Sequence, residues 1–330
     1  MNATPLLTIA IPTFNRAEHL SALLSALCQE LVDWTAVEIV VSDNSSTDDT
    51  SQVASSFKDQ FARFYYFKHK ENVGMDGNFL GLAEVSSGHF LWTLCDDDLI
   101  FSGALNRVLQ ILRVELDLDF LQLNYSLYDS KIIECKKESG IQLQTNTVWS
   151  NSEEAMTFLM NECLRASCLV MKREKLLGSW LYDKKEEFDG SLCSPLALAL
   201  AAMQGGKAMC CARPVVKYRG DNQPWIEIWP LIAAVYVPKT YRSVMKLGGC
   251  SRRVYHLALD QMSVHLHSLI IHLKLSEHPK VCIRFKQSEV FDLYKSRPWF
   301  WWRVSWVLMT PAWVLRLLRS LRRSYYSAKF

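Results

Sequence analysis

The sequence predicts an α/β domain on a mostly parallel sheet, followed by a helical C-terminal region. Three observations carry that prediction. The first 125 residues alternate short apolar runs of strand length with amphipathic runs of helix length, the rhythm of βα units. Residues 226–275 keep a helical pattern through most of their length. A composition of 330 residues, 49% apolar and 22% charged, supports a sizeable core in one large domain with additions or two smaller ones, and disorder is not expected.

In order, LLTIAI at residues 6–11 is a first strand closed by Pro12, and residues 17–28 place Leu20, Leu23, Leu24 and Leu27 on one helical face. AVEIVVS at 36–42 is the next strand, and SSTDDT after it opens a helix whose free N–H groups a Ser or Thr can cap. Residues 62–68 read as a third strand. Asn72-Val73-Gly74 is a turn into a helix over about 76–86, and HFLWTLC at 89–95 is a buried strand that stops at three aspartates. A helix capped by Ser102 and the strand DFLQLNY at 119–125 complete the pattern. A hairpin or loop runs to about 149, and the capping box Asn151-x-x-Glu154 announces a helix from 152. Residues 191–204 read as helix, and residues 207–218 as a strand returning to the sheet. There is no internal repeat, low-complexity segment or long linker.

The net charge of +3 hides an asymmetry. No acidic residue follows Asp292, whereas eight basic residues do, Lys295 to Lys329, so the rest of the chain is net negative. Such a segment points to an anionic partner, a membrane surface or a nucleic acid. Five of the eleven tryptophans stand among aliphatic residues in 298–330, which suits a bilayer interface and argues against nucleic acid. Between Arg303 and Arg316 only twelve residues, Val304 to Leu315, are free of charge, and Pro311 interrupts them. That is too short for a span, which needs about twenty residues, so a kinked amphipathic helix lying on the membrane is expected, with a core helix packed on the catalytic domain and a short tilted span as the alternatives. The ten cysteines include no Cys-x-x-Cys pair and read as free thiols of a reducing cytosol. The first residues lack a basic stretch and a long apolar run, so neither signal peptide nor export is expected.

Ligands of an open α/β sheet sit beyond the carboxyl ends of its strands. The residues there are polar: Pro12-Thr13-Phe14-Asn15-Arg16, Asp43-Asn44-Ser45-Ser46, Asn72-Val73-Gly74 with Asp76, and Asp96-Asp97-Asp98. One cleft can gather all four. Three consecutive carboxylates repel one another, and a divalent cation offsets that cost. A hard ion such as Mg2+ or Mn2+ takes one or two protein carboxylates and fills its other positions with water and phosphate oxygens, which makes a diphosphate site. The alternative is a turn that caps the following helix. Asp43 either accepts a hydrogen bond from a base or ribose, or forms an Asx-turn at the strand-to-helix junction. Neither a Gly-x-Gly-x-x-Gly fingerprint nor a Gly-Lys-Ser/Thr phosphate loop occurs, which argues against a dinucleotide dehydrogenase and an ATPase. The eight histidines lack ligand spacing and read as structural.

IAIPTFNRAEHL at 9–20, EIVVSDNSSTDDT at 38–50 and ENVGMDGNFLGLAEVSSGHFLWTLCDDDL at 71–99, in that order and spacing, resemble the family 2 glycosyltransferases of the GT-A fold. The Asn-x-Gly-x-x-x-Asn spacing and the Trp before the aspartates look especially like the subgroup with abequosyltransferases and other transferases of lipopolysaccharide O-antigen assembly. The resemblance implies that Pro12, Thr13 and Asn15 line the nucleotide pocket and that Asp43 binds the base; Asp76 joins the donor-binding candidates by its place after the third strand. Asp96 and Asp98 then bracket ribose, metal and diphosphate, with Asp98 first for the metal, Asp96 also a candidate ligand, and Asp96 or Asp97 on the ribose. Many members read Asp-x-Asp-Asp, and with the last two aspartates aligned this chain has Cys95 in place of the first.

Inverting members also need a carboxylate that takes the acceptor's proton, placed in a second acidic motif well after the aspartates. The stretch 184–190 stands at that distance, with Asp189 ranked before Glu187 because a Gly-Ser turn and an apolar helix follow it. A solvated charged loop is the alternative. Arg219, Asp221, Asn222 and Trp225 form a polar and aromatic loop where the family often closes its site, with a plain surface loop the equal alternative.

The expected organisation is thus a GT-A domain over 1–220, a helical region over 221–297 and a basic, Trp-rich membrane-associating segment over 298–330. The expected reaction moves a sugar from a nucleoside diphosphate sugar, with a CDP-dideoxyhexose such as CDP-abequose the first guess, to a hydroxyl of a lipid-linked oligosaccharide. That places the protein in the cytoplasm, peripheral on the inner face of the plasma membrane. The rivals are a catalytically silent nucleotide-sugar-binding scaffold and a sugar nucleotidyltransferase, though PTFNRAEHL lacks the Gly-rich basic loop of the latter.

Overall fold

The computed structural model describes residues 4–30, 32–220 and 227–327. The chain divides into two compact units, Met1–Asn222 with Lys246–Cys250, and Gln223–Met245 with Ser251–Phe330.

In the first unit, β1 (Leu7–Thr13) and β2 (Val37–Asp43) are buried at every residue, as strands in the interior of a parallel sheet must be. Between them α1 (Ala17–Cys28) buries Leu20, Leu23, Leu24 and Leu27, the stripe expected from their spacing. Then come α2 (Thr50–Ser56), β3 (Phe64–Lys68), α3 (Gly74–Val85) and β4 (Phe90–Thr93). β1 pairs in parallel with β2 and β4, and β2 with β3. Thr13 faces Asp43 in register and Thr93 faces Ala10, so the segments after β1, β2 and β4 emerge at one edge.

The rest of the sheet changes direction. It uses β5 (Leu99–Ile100), β6 (Leu118–Tyr128), β9 (Leu169–Lys172) and β10 (Lys207–Arg219), in the order β3-β2-β1-β4-β9-β6-β10-β5. β9 is antiparallel to both β4 and β6, while β10 runs parallel to β6 and antiparallel to β5. Two short strands, β7 (Cys135–Lys137) and β8 (Thr147–Trp149), add to β6 and β10 rather than to each other, so the segment before 149 is not a hairpin of its own. Helices α4 (Ala104–Val114), α5 (Ser152–Leu159), α6 (Arg173–Leu177), α7 (Trp180–Asp183) and α8 (Ser194–Met203) complete the unit, and α8 is buried throughout.

Helix starts correct the sequence reading at two places. Asp48, not a Ser or Thr, accepts from the Thr50 N–H at 3.1 Å at the head of α2. Glu30, not Ser102, serves α4: its carboxylate accepts from Gly103 N at 2.8 Å and Leu105 N at 3.1 Å. Gly103 turns in at φ +71°, a left-handed conformation in which a Cβ is strained. At α5 the expected cap forms, with Asn151 accepting from Glu153 N at 2.9 Å.

The second unit is helical: α9 (Trp229–Leu231), a π-helical turn (Ile232–Tyr236), α10 (Val237–Lys246), α11 (Arg252–Met262), α12 (Leu266–Leu275), α13 (Pro279–Arg284), α14 (Gln287–Tyr294), α15 (Pro298–Arg303), α16 (Ser305–Met309) and α17 (Ala312–Ser327). Ser251 caps α11, accepting from Val254 N at 3.3 Å. Where one kinked helix was expected, residues 298–327 form three, broken at Val304 and at Thr310-Pro311. The second break is fixed by Lys274 of α12, whose ammonium donates to the carbonyls of Val307, Leu308 and Thr310 at 3.0, 2.6 and 2.6 Å. These are carbonyls the end of α16 leaves without intrahelical partners. Among the described residues no helix is long and apolar enough to cross a membrane.

Candidate active site

The polar segments at the carboxyl edge of the parallel strands are tied to one another. Asn15, in a left-handed conformation (φ +52°) that Asn tolerates, donates its N–H to Ser46 Oγ at 2.8 Å and accepts from Thr47 N at 2.8 Å. Asn44 accepts from Val73 N and donates to Asn72 and to the Gly74 carbonyl, linking the β2 end to the turn before α3. Pro12 and Thr13 are buried at the end of β1. Asp43 is fully buried, with one oxygen accepting from Ser46 N at 2.8 Å and the other from the Tyr66 hydroxyl. The first bond is the Asx-turn of the strand-to-helix junction, and the second comes from β3.

The three aspartates differ in their surroundings. Asp98, 1% exposed, accepts from the Ser167 hydroxyl at 2.5 Å and from Arg219 N at 2.7 Å. Asp97 and Asp96 share the Arg16 guanidinium, at 2.9 and 3.0 Å. The Arg219 side chain donates to the Asp97 carbonyl at 2.6 Å and to the Ser130 carbonyl. Ser167 also accepts from Cys95 N at 3.0 Å, and its carbonyl accepts from the buried Trp92 indole at 2.8 Å. Burial first, and then the Asp97 charge, push Asp98 well above the usual carboxylate range. Burial likewise raises Asp96 to about 6, against the pull of Arg16.

The residues fit a small divalent cation. The Sγ of Cys95 and carboxylate oxygens of Asp97 and Asp98 lie within 4.8 Å of one another. The Asp96 Oδ2 is buried without a hydrogen bond of good geometry, as is the Thr13 hydroxyl, although Thr13 stands near enough to draw the Asp96 pKa down. For Mg2+ or Mn2+ the oxygens are the matching ligands, and the thiol, raised by burial, is not.

Asp76 stands elsewhere. It is 2% exposed in the first turn of α3, and its carboxylate accepts from Leu192 N at 2.8 Å and Ser194 N at 3.1 Å, with the Ser191 hydroxyl at 3.4 Å. It therefore clamps the segment that follows Asp189 rather than standing open to a nucleotide. Glu187 lies in a 3-10 turn, Lys185–Phe188, with Asp189 just after it, and both are exposed. No described hydrogen bond or ion pair joins either to Asp96, Asp97 or Asp98. Asp221, Asn222 and Trp225 lie outside the described residues. Sequence reasoning missed Ser167 and the pairing role of Arg16. The second had a signal, a lone arginine after β1 facing three aspartates. Ser167 had none, since it reaches Asp98 only through the antiparallel placement of β9.

Residues 8–156 match the model of Glycosyl transferase family 2. Among relatives, the abequosyltransferase RfbV of Salmonella typhimurium is 26% identical over 237 residues, 66% of this chain and 67% of that one. The GalNAc(5)-diNAcBac-PP-undecaprenol beta-1,3-glucosyltransferase of Campylobacter jejuni is 35% identical over 107 residues, 32% of this chain and 34% of that one. Among solved structures, residues 1–349 of S. aureus TarS in complex with UDP superpose with a TM-score of 0.57 at 13% identity, covering 88% of this chain and 81% of that one. The mannosyltransferase PcManGT of Pyrobaculum calidifontis, in complex with GDP-Man and Mn2+, gives a TM-score of 0.55 at 13% identity, covering 93% and 86%. The sheet order, the aspartates closing β4 and these matches agree: the fold is of the GT-A type, and residues 8–156 are a family 2 glycosyltransferase domain.

Proposed function

We propose that this protein transfers a sugar from a nucleoside diphosphate sugar to a hydroxyl of a lipid-linked saccharide in surface polysaccharide synthesis, at the inner face of the plasma membrane. The observation that carries the reading is the cluster of buried Asp96 and Asp98 with half-buried Asp97 just past a parallel strand in a family 2 domain. The matched relatives support the finer parts. One is named for abequose transfer, the other for an undecaprenol-linked substrate, so a CDP-dideoxyhexose such as CDP-abequose is the donor to try first.

In this reading Asp98, with Asp96 or the neighbouring Asp97, would hold Mg2+ or Mn2+, which when bound would supply Lewis-acid neutralisation of the donor's diphosphate. Ser167 and Arg219 orient Asp98 by the two hydrogen bonds they give it. Thr13 and Asn15 border the nucleotide from the β1 side. Asp189, or failing it Glu187, takes the proton from the acceptor hydroxyl. Both are exposed and so open to an acceptor arriving from solvent. The test is a panel of nucleotides and sugar nucleotides in thermal denaturation with and without Mn2+, followed by product formation with the donor that stabilises most. A pyrimidine or purine diphosphate that stabilises only with the metal supports the reading. Indifference to every nucleotide under both conditions removes it.

A further inference from the structure

Residues 300–317 are apolar on two faces, and packing accounts for only one. Phe300, Val304, Val307, Leu308 and Leu315 are buried in the second unit. On the outward side Trp302, Trp306, Met309, Trp313 and Leu317 recur three or four residues apart, 65%, 49%, 83%, 67% and 52% exposed. A helix segment whose inner stripe is already buried normally turns polar residues outward. Large apolar side chains exposed on three successive helices mark a surface made to be covered.

The chemistry around them says by what. Arg303 lies over the Trp302 ring at 4.6 Å, and Arg316 is 61% exposed, reaching Glu277 only at 3.9 Å. No acidic residue occurs between Asp292 and the end of the sequence given. A second copy of this chain would bring the same positive charge against itself. An acidic protein would answer the arginines but not three exposed indoles. Tryptophan with arginine matches the headgroup region of an anionic leaflet, where an indole lies among upper acyl chains and a guanidinium meets phosphate. The brace of Lys274 on the α16 carbonyls sets the bend at Thr310-Pro311 in the protein itself.

We infer that the outward face of α15, α16 and the start of α17 is a preformed docking surface for an anionic lipid leaflet, with Trp302, Trp306 and Trp313 inserted at headgroup depth and Arg303 and Arg316 on the phosphates. This rests on the membrane placement within the proposed function and gives it a specific surface. It differs from an amphipathic helix that folds only on lipid, because the bend and the inner packing exist without lipid.

The test uses the full chain with vesicles of phosphatidylcholine alone or mixed with phosphatidylglycerol, read by cosedimentation and tryptophan fluorescence as salt is raised. The wild type is expected to bind the mixed vesicles with a blue-shifted emission and to leave them as salt rises. The combined Trp302→Ala, Trp306→Ala, Trp313→Ala variant should lose on the order of tenfold or more in partitioning. Arg303→Gln with Arg316→Gln should lower binding at low salt and flatten the salt dependence. Circular dichroism without lipid should be unchanged in all of them, since these side chains are exposed. Wild-type protein that ignores the mixed vesicles, or a tryptophan variant that binds as the wild type does, overturns the inference. So does wild-type dimerisation that the tryptophan variant abolishes without any vesicle binding. Mn2+-dependent nucleotide binding, measured in parallel, reads the transferase proposal separately: its absence with vesicle binding intact counts against that proposal alone.

Discussion

Asp98 holds a buried carboxylate between two donors, the Ser167 hydroxyl and the Arg219 amide. An amide in its place sets an N–H2 against one of those donors, so Asp98→Asn is expected to cost about 1–3 kcal/mol of stability. It should also cut transfer by roughly a hundredfold to a thousandfold, as loss of a preorganised charge does at other transfer sites. Product formation and a thermal melt check both, and activity within about tenfold of wild type, about 1.4 kcal/mol of barrier, would remove Asp98 from the mechanism. Arg16 makes a second prediction. It is the counter-charge of Asp96 and Asp97 in the structure, so Arg16→Gln should lower the melting temperature without divalent cation and enlarge the rise that Mn2+ produces. An equal Mn2+ response in both proteins would show that arginine and metal do not share those carboxylates. The aspartates were legible because they interrupt an apolar strand in sequence. Ser167 was not, because a serine announces nothing until β9 sets it against β4.

At the scale of elements, the helices were readable from their apolar stripes and their beginnings were not. α1 has the bounds that Leu20, Leu23, Leu24 and Leu27 predict. The start of α4 is instead served by a carboxylate from another part of the chain, which no local pattern reveals. Glu30→Ala is therefore expected to leave Gly103 N and Leu105 N without their acceptor and to cost about 1–2 kcal/mol. In a domain of this size that is a fall of roughly 2–4 °C in melting temperature per kcal/mol. A melt unchanged from wild type would mean that water replaces the cap fully. The acidic stretch depends on α3 in the same way. Asp76 holds Leu192 and Ser194, so Asp76→Ala should lower kcat with little change in donor binding if Asp189 is the base. Asp189→Asn should do the same more severely. Should Asp189→Asn and Glu187→Gln both remain within about tenfold of wild type, the base lies elsewhere.

For the molecule as a whole, the legible half of the fold is the parallel half. There, near-continuous apolar runs and intervening amphipathic helices follow one rule, and β1 to β4 appear within about two residues of the bounds read from periodicity. The other half obeys no short-range rule: β9 inserts between β4 and β6 in the opposite sense, a choice made by long-range packing. The family match ends at residue 156, yet two groups that hold Asp98, at 167 and 219, lie beyond it. Chelation by EDTA is expected to abolish transfer, and added Mn2+ to restore it. Persistent turnover in excess chelator would separate the aspartates from any metal. The 121-residue separation between Asp98 and its Arg219 donor has a consequence for biosynthesis. Contacts so distant in sequence form late and slowly. A nascent chain emerging from the ribosome can pair β1, β2 and β4 well before β10 has been made, and Asp98 then lacks its Arg219 donor at the edge of an incomplete sheet. If Asp98 serves the sugar donor as proposed, its full set of hydrogen-bond donors is complete only after translation past residue 219, so activity would report that β10 has docked.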